Sequence, residues 1–156
     1  MSIALDTSEN DILIRQQELV RALKPLLPGH ALLWEPEDTI PYECDGLAAY
    51  RQMPLAVALP ETETQAVAVI KVCQELEVPI VPRGSGTGLS GGAMPIAQGL
   101  VLSLAKFKKI VKVDPIARTA VVQPGGCCSR APAPAPGAGT GVGSWRQTRC
   151  CHVPAC

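Results

Sequence analysis

The sequence predicts an α+β fold that opens with a βαβ unit. A short apolar run at 55–59 is closed by Pro60, as in a buried parallel strand. A helical pattern follows it, and a second short apolar run stands at 78–81. Further along, 110–113 and 119–123 have the character of two antiparallel strands. Parallel strands at the start and an antiparallel pair at the end give the mixed class.

The helix of the βαβ unit has a clear beginning. Thr62 and Gln65 have the spacing of a capping box, and Glu61 and Glu63 suit the positive end of a helix. An apolar face then recurs at helical spacing, formed by Ala66, Val69, Ile70, Cys73 and Leu76. This face should pack on the sheet.

The first 54 residues are predicted to be a helix and an irregular lead-in. Ser8 is a candidate N-cap, apolar residues continue to Leu23, and Pro25 and Pro28 end the helix. Residues 30–54 are expected to be irregular, with Tyr42 and Asp45 fixing a turn. Catalysis by this turn is the less favoured alternative.

The remaining elements lie between 100 and 125. Residues 100–104 form a third apolar strand, and the lysines at 106, 108, 109 and 112 are expected to be a solvated edge rather than a binding patch. Asp114-Pro115 begins the turn between the two antiparallel strands. Residues 55–125 therefore form one predicted unit.

The glycine loop, residues 82–92, is the candidate functional segment. Five of its eleven residues are glycine, so its main chain can turn sharply and present successive N–H groups to an anion. It follows directly on the second predicted strand, at the kind of sheet edge where α/β proteins bind ligands. The sequence thus predicts a phosphate site, with a mobile surface loop as the alternative.

Two familiar phosphate loops are excluded by the residues around this segment. Gly86, Gly88 and Gly91 have dinucleotide spacing, but that motif must open a helix, and Pro95 soon follows. A Walker loop would need Lys after Gly91, where Gly92 stands. A phosphate bound here would need a loop of another kind.

Charge and composition exclude several classes of protein. The chain carries 14 basic and 14 acidic residues with few aromatics, and no basic stripe suited to nucleic acid. No secretory signal or membrane-length apolar run is present in the sequence. A cytosolic location with reduced cysteines is expected, with peripheral attachment to the inner membrane in a complex as an extension of it.

Residues 126–156 differ abruptly from the rest. They contain five of the seven cysteines and no Leu, Ile, Phe, Lys, Asp or Glu, so we expect a disordered tail. A reading-frame shift near codon 125 explains this composition, and shifting the nucleotide sequence by one base there should restore the earlier character. A minority alternative is a metal-binding or interaction module using Cys127, Cys128, Cys150, Cys151, His152 and Cys156.

Three stretches together carry a family resemblance from about residue 40 to 125. They are Pro41-Tyr42-Glu43-Cys44-Asp45-Gly46, the glycine loop, and Val122-Gln123-Pro124-Gly125. In these the chain resembles the glycolate-oxidase group of FAD-linked oxidases, in the vanillyl-alcohol oxidase and p-cresol methylhydroxylase (PCMH) superfamily. The resemblance implies the N-terminal portion of a PCMH-type FAD-binding domain, and it stops at Gly126.

The resemblance implies that the glycine loop binds a cofactor. Its main-chain N–H groups would wrap the diphosphate of FAD, with Gly84, Gly86, Gly88, Gly91 and Gly92 in closest approach. Some relatives attach the flavin through a loop histidine; here His30 and His152 are the only histidines, so FAD should be held non-covalently. The implied cofactor-binding residues are Pro82, Arg83, Gly84, Ser85, Gly86, Thr87, Gly88, Leu89, Ser90, Gly91 and Gly92.

The resemblance also implies an activity for the full-length enzyme. A small 2-hydroxy acid would be oxidised, most simply glycolate to glyoxylate, with D-lactate as the runner-up. A second flavin-binding subunit and an iron–sulfur subunit are the implied partners. The 156 residues alone are expected to be an inactive fragment without catalytic residues. A non-catalytic βαβ module that binds a nucleotide or a partner is the competing hypothesis.

Overall fold

The computed structural model describes residues 9–47, 49–86, 88–114 and 119–125. Their helices are α1 (Glu9–Leu23), α2 (Pro36–Thr39) and α3 (Glu63–Glu75), with 3₁₀ turns at Gly29–Ala31 and Ile40–Tyr42. Their strands are β1 (Leu32–Leu33), β2 (Ala56–Ala58), β3 (Ile80–Arg83), β4 (Leu100–Ser103), β5 (Ile110–Asp114) and β6 (Thr119–Val122). This mixture of parallel and antiparallel pairing confirms the predicted α+β class.

The four-stranded sheet has the order β1-β2-β4-β3. Strands β2 and β3 both pair parallel with β4, so the predicted βαβ unit has parallel strands, and β4 lies between them. Strand β1 was not predicted, because residues 30–54 were expected to be irregular. It pairs antiparallel with β2 through Leu32 and Leu33, and a strand of two residues is too short to show an alternating pattern.

Both faces of the sheet are buried. Val57, Val81 and Val101 are in register across β2, β3 and β4 and form one apolar cluster, against which Tyr42 packs. The opposite face, with Leu100 at its centre, packs against α1 and α3 in the larger core. Burial on both sides explains why β2 is apolar throughout and β4 is apolar up to Ser103.

Helix α3 begins as predicted. The Thr62 hydroxyl accepts a hydrogen bond from the Gln65 N–H, and the Gln65 side chain accepts one from the Thr62 N–H. The predicted apolar face is confirmed by buried Ala66, Val69 and Cys73. Ile70 was wrongly included in it, because its side chain is 43% exposed.

Helix α1 covers the core with Leu19, Val20 and Leu23 and ends at Leu23, before Pro25 as predicted. The predicted N-cap, Ser8, lies outside the described residues.

Strands β5 and β6 form a two-stranded antiparallel sheet, as predicted. The turn at 115–118 lies outside the described residues. After β6 the chain returns towards β4, where the Gly125 N–H donates to the Phe107 carbonyl at 2.9 Å. Residues 123–125 therefore lie beside the end of β4. The predicted tail at 126–156 lies outside the described residues.

Within the described ranges, strand β3 is at one edge of the sheet, because it pairs there with β4 alone. Pro82 in this strand is exposed. Proline has no N–H to donate to a ladder, and it is accepted where a strand has a neighbour on only one side. The last residue of β3, Arg83, accepts a hydrogen bond from the Leu104 N–H at 2.7 Å.

Candidate functional site

The first two residues of the glycine loop, Pro82 and Arg83, are the last two of β3, and the rest of the loop follows the strand. Its predicted place at a sheet terminus is therefore confirmed. Strands β2, β4 and β3 are parallel, and the segments after them share one edge of the sheet. Glu61 follows β2 and Lys106 follows β4, where their side chains form an exposed ion pair of 3.7 Å. The loop itself follows the edge strand β3, at the carboxyl end where open α/β sheets bind ligands.

Two glycines of the loop are in close contact with the rest of the protein. A Cβ added at Gly84 would lie 2.7 Å from the Pro124 carbonyl oxygen. At Gly86, which has φ of +70°, it would lie 2.5 Å from Nε and Nη2 of Arg83. The missing side chains at these positions therefore make room for neighbouring protein groups, in addition to any role in ligand approach.

Three other glycines of the loop have open space where a side chain would stand. Among the described residues, and apart from its own chain neighbours, a Cβ added at Gly88, Gly91 or Gly92 would meet no atom within 4 Å. Gly91 has φ of +72°, and its carbonyl accepts from the Met94 N–H at 3.2 Å. The open side of these residues is the part of the loop that a ligand could approach.

The turn at residues 42–47 lies against both ends of the loop. The Arg83 guanidinium donates from Nη1 to the Cys44 carbonyl at 2.5 Å and stands 5.5 Å from the centre of the Tyr42 ring. Asp45 is only 6% exposed. Its Oδ1 accepts from the Leu47 N–H at 2.8 Å, and its Oδ2 lies 3.5 Å from the Ala93 amide nitrogen.

Asp45 therefore fixes the turn, as the sequence predicts. Its link to Ala93 and the stacking of Arg83 on Tyr42 were not predicted. The available signal was that both segments belong to the same family resemblance, which suggests that they meet in space.

The predicted loop residues remain together as one segment at the end of β3. Pro82 is exposed, Arg83 is half-buried, and Leu89 is 73% exposed. Ser85 and Ser90 are exposed, and Thr87 lies outside the described residues. A shared focus of the loop amides stays a prediction.

The described cysteines are not arranged for chemistry. Burial raises the pKa of the Cys73 thiol to about 11, which keeps it protonated and unreactive at neutral pH. Cys44 is half-buried beside the loop, and its carbonyl is bonded to Arg83. Among the described residues, no three His, Cys, Asp or Glu side chains form a group suited to a metal ion. The predicted tail ligands, from Cys127 to Cys156, lie outside these residues.

No helix within the described ranges has the length and apolarity needed to cross a membrane.

Comparison with protein families matches residues 54–131 to the model described as "FAD binding domain". This range includes β2, the whole glycine loop and the β5–β6 pair. It ends six residues beyond Gly125, inside the segment where the sequence changes character.

Two curated relatives match over a similar length. The glycolate oxidase subunit GlcD of Escherichia coli K12 is 48% identical over 112 residues, which are 72% of this chain and 22% of that protein. The D-lactate dehydrogenase of Anaerostipes hadrus is 33% identical over 109 residues, which are 69% of this chain and 23% of that protein. The chain thus spans about a fifth of the length of the curated relatives it matches.

A solved structure shares the fold. The crystal structure of p-cresol methylhydroxylase with substrate bound matches with a TM-score of 0.61 and 28% identity, over 78% of this chain and 24% of that one.

Proposed function

We propose a function from the premise that this chain belongs to the FAD binding domain family, of the p-cresol methylhydroxylase type. FAD is the cofactor of that family. We propose that the glycine loop, residues 82–92, holds the FAD diphosphate. The chain would then form the first part of the flavin domain of an FAD-linked oxidoreductase. The observation that carries this proposal is the open side of Gly88, Gly91 and Gly92 at the end of β3.

The residues present fit a diphosphate. Main-chain N–H groups bind phosphate well where no side chain blocks them, and the loop leaves three such positions open. The loop also contains one cation, Arg83, its second residue. No histidine occurs between His30 and His152, so the flavin would be held without a histidyl bond.

The bound flavin would supply a hydride acceptor for the α-carbon of a substrate. The work of this chain's own residues is binding: the loop amides donate to phosphate oxygens, and the turn at 42–47 holds the loop. We assign no catalytic residue to the described part of the chain.

Glycolate is the proposed substrate, oxidised to glyoxylate, because the relative at 48% identity is a glycolate oxidase subunit. D-lactate is the second candidate, supported by the 33% identical D-lactate dehydrogenase. That the first relative is called a subunit supports assembly into a complex. We propose a second flavin-binding subunit and an iron–sulfur subunit as partners, and a cytoplasmic complex peripheral to the inner membrane.

The diphosphate proposal is tested by adding a methyl group on the open side of the loop. Gly88→Ala and Gly92→Ala should leave the unfolding temperature unchanged, because in the part of the chain that the structure describes an added Cβ has no contact within 4 Å. Both should weaken FAD binding at least tenfold, because the methyl group occupies the space of the ligand. The measurement is flavin fluorescence titration alongside thermal unfolding.

Gly29→Ala is the matched control. Gly29 also has nothing within 4 Å of an added Cβ, and it lies in the 3₁₀ turn before β1. Gly29→Ala should change neither the unfolding temperature nor the affinity for FAD. Equal FAD affinity in all three variants and the parent chain would contradict the proposal.

The competing hypothesis, a non-catalytic nucleotide- or partner-binding module, predicts a different ranking of ligands. Titration with FAD, ADP and ATP should show a preference for FAD if the loop serves a flavin. We also expect the 156 residues alone to show no glycolate-dependent dye reduction. Turnover by this chain by itself would overturn the proposal that it is inactive.

A further inference from the structure

The glycine loop is tied at both ends to one turn. At its start, Arg83 donates to the Cys44 carbonyl at 2.5 Å. Just after its end, the Ala93 amide nitrogen lies 3.5 Å from Asp45 Oδ2, at the outer limit of hydrogen bonding. The two anchor points, Cys44 and Asp45, are adjacent in sequence. We call these two contacts the clasp.

A loop rich in glycine needs such contacts to keep one shape. Glycine loses more conformational freedom on ordering than any other residue, so a loop with five glycines is costly to fix. Nine residues, 84–92, separate the two tied positions. Fixing both ends lowers the number of conformations that a ligand would otherwise have to exclude.

The surroundings of Arg83 indicate that its guanidinium contacts other groups of the protein. Its guanidinium stands over the Tyr42 ring and close to Gly86, where an added Cβ would lie 2.5 Å from Nε and Nη2. Tyr42 in turn packs on the valine cluster of the sheet. The cation is thereby anchored to the folded core through an aromatic face.

We propose that Arg83 and Asp45 are positioning residues that hold the glycine loop in its ligand-binding shape. This inference rests on the proposed function and assigns Arg83 a role that differs from direct contact with the diphosphate. Direct contact would place the guanidinium on the ligand, whereas the clasp places it on the Cys44 carbonyl and over the Tyr42 ring. Only the clasp therefore predicts that Arg83 holds the loop when no ligand is bound.

The first test requires no ligand. Leu89 is 73% exposed at the tip of the loop, so thermolysin cleavage before Leu89, followed by mass spectrometry, reports how often the loop opens. Arg83→Met should accelerate this cleavage about tenfold, the effect of losing one hydrogen bond to a charged group. Arg83→Lys should accelerate it similarly, because the ammonium lacks the planar guanidinium that stands over the Tyr42 ring while one nitrogen donates to Cys44.

Arg51→Met is the control for the arginine change. Arg51 pairs with Glu43 at 2.7 Å in the same region, and its side chain is 67% exposed. Removing such a pair has little effect, so cleavage should match the parent chain. Parent-like cleavage in both Arg83 variants would overturn the role of Arg83.

The Asp45 end is tested with two variants that separate the turn from the clasp. In Asp45→Asn the amide offers one acceptor, which can retain the bond from Leu47 but not that from Ala93 as well. Asp45→Ala loses both. If Asp45 served only the turn, Asp45→Asn would be cleaved like the parent chain; the clasp predicts faster cleavage. Parent-like cleavage of Asp45→Asn overturns the role of Asp45.

The ligand test uses a ratio of affinities. Riboflavin lacks the diphosphate, so positioning of the loop should matter for FAD and not for riboflavin. Arg83→Lys should lower the FAD-to-riboflavin affinity ratio about tenfold, whereas general destabilisation would lower both affinities together. An unchanged ratio would show that a positive charge is sufficient and would overturn positioning by the guanidinium.

The two proposals fail in different ways. If the parent chain binds no FAD, the proposed function fails, and the thermolysin experiments still decide whether the clasp holds the loop. If FAD binds and the Arg83 and Asp45 variants behave like the parent chain, the clasp fails and the proposed function stands. Tyr42→Phe keeps the aromatic face and should match the parent in both experiments.

Discussion

The glycines of the loop have two different kinds of neighbour. A Cβ at Gly84 would meet the Pro124 main chain at 2.7 Å, and one at Gly86 would meet the end of the Arg83 side chain at 2.5 Å. A Cβ at Gly88, Gly91 or Gly92 would meet none of the described residues within 4 Å, its chain neighbours aside. A motif read from sequence treats all five alike. Their separate roles depend on what the fold brings against each one, and the family resemblance does not specify this.

Gly84→Ala should destabilise the protein by about 1–3 kcal/mol. Its Cβ would lie 2.7 Å from the Pro124 carbonyl oxygen, and a main-chain atom cannot move aside as a flexible side chain can. Urea unfolding followed by circular dichroism measures the loss. Gly88→Ala, within the same loop, should stay within about 0.5 kcal/mol of the parent chain; similar losses in both would refute the packing role of Gly84.

Burial of Cys73 predicts a loss of stability at high pH. The thiol has a pKa of about 11 in the folded chain against 9.0 when unperturbed. Between these values the unfolded state has released the proton and the folded state still binds it, so the free energy of unfolding falls as pH rises. Below pH 9 the contribution is fully present.

The measurement is the free energy of unfolding from pH 8 to 11 in the parent chain and in Cys73→Ala. Cys73→Ala should show a shallower decline above pH 9, because the titrating group is gone. The two chains differ only at position 73, so the difference between their curves isolates Cys73. Parallel curves would show that the folded environment does not raise the pKa of this thiol.

Among single residues, the sequence predicted the glycine loop but not the contacts that hold it to the turn at 42–47. Asp45 was correctly expected to fix a turn, since aspartate often binds the main chain two residues ahead. The stacking of Arg83 on Tyr42 joins residues that are 41 positions apart in the chain. Local patterns contain no information on such a contact.

At the scale of elements, α3 is the best-predicted part of the chain, because its capping box is a local signal. Thr62→Ala should therefore cost about 1 kcal/mol, since it removes the acceptor for the Gln65 N–H. Thermal or urea unfolding measures the change. Thr64→Ala, at an exposed position inside the helix, is the control and should be neutral or slightly stabilising. An equal effect of both would contradict the cap.

Strand β3 was predicted at 78–81 and observed at Ile80–Arg83, and β1 was missed. Both errors concern edge strands. An edge strand has fewer neighbours to require apolar residues, so its limits are weakly marked in the sequence. The buried strands β2 and β4 were placed within one residue at each end.

For the whole molecule, strand order was the feature that local patterns did not predict. Strand β4 is third of these parallel strands in the chain, yet it lies between β2 and β3. An apolar run shows that a strand is buried, but not which neighbours bury it. The centre of the sheet is therefore formed by a strand that follows the glycine loop.

This order makes Val101 a residue on which the whole sheet depends. It is fully buried and in register with Val57 and Val81. Val101→Ala should cost about 2 kcal/mol and lower the urea midpoint of the entire far-ultraviolet transition. Val121→Ala, at a 55% exposed position in β6, should cost less than about 0.5 kcal/mol. Comparable losses of unfolding free energy in the two variants would contradict the central role of β4 in the sheet.

Pro82 has a consequence for how this protein meets other copies of itself. The Arg83 and Pro79 carbonyls both face β4, where they accept from Leu104 and Leu100. By alternation, position 82 turns its backbone outward, and there proline offers no donor to an incoming strand. An extended segment from another molecule would lack a hydrogen-bond donor at position 82 of this edge strand. Pro82, on the edge strand of the sheet, thus disfavours the addition of a strand from another molecule at β3, beside the glycine loop.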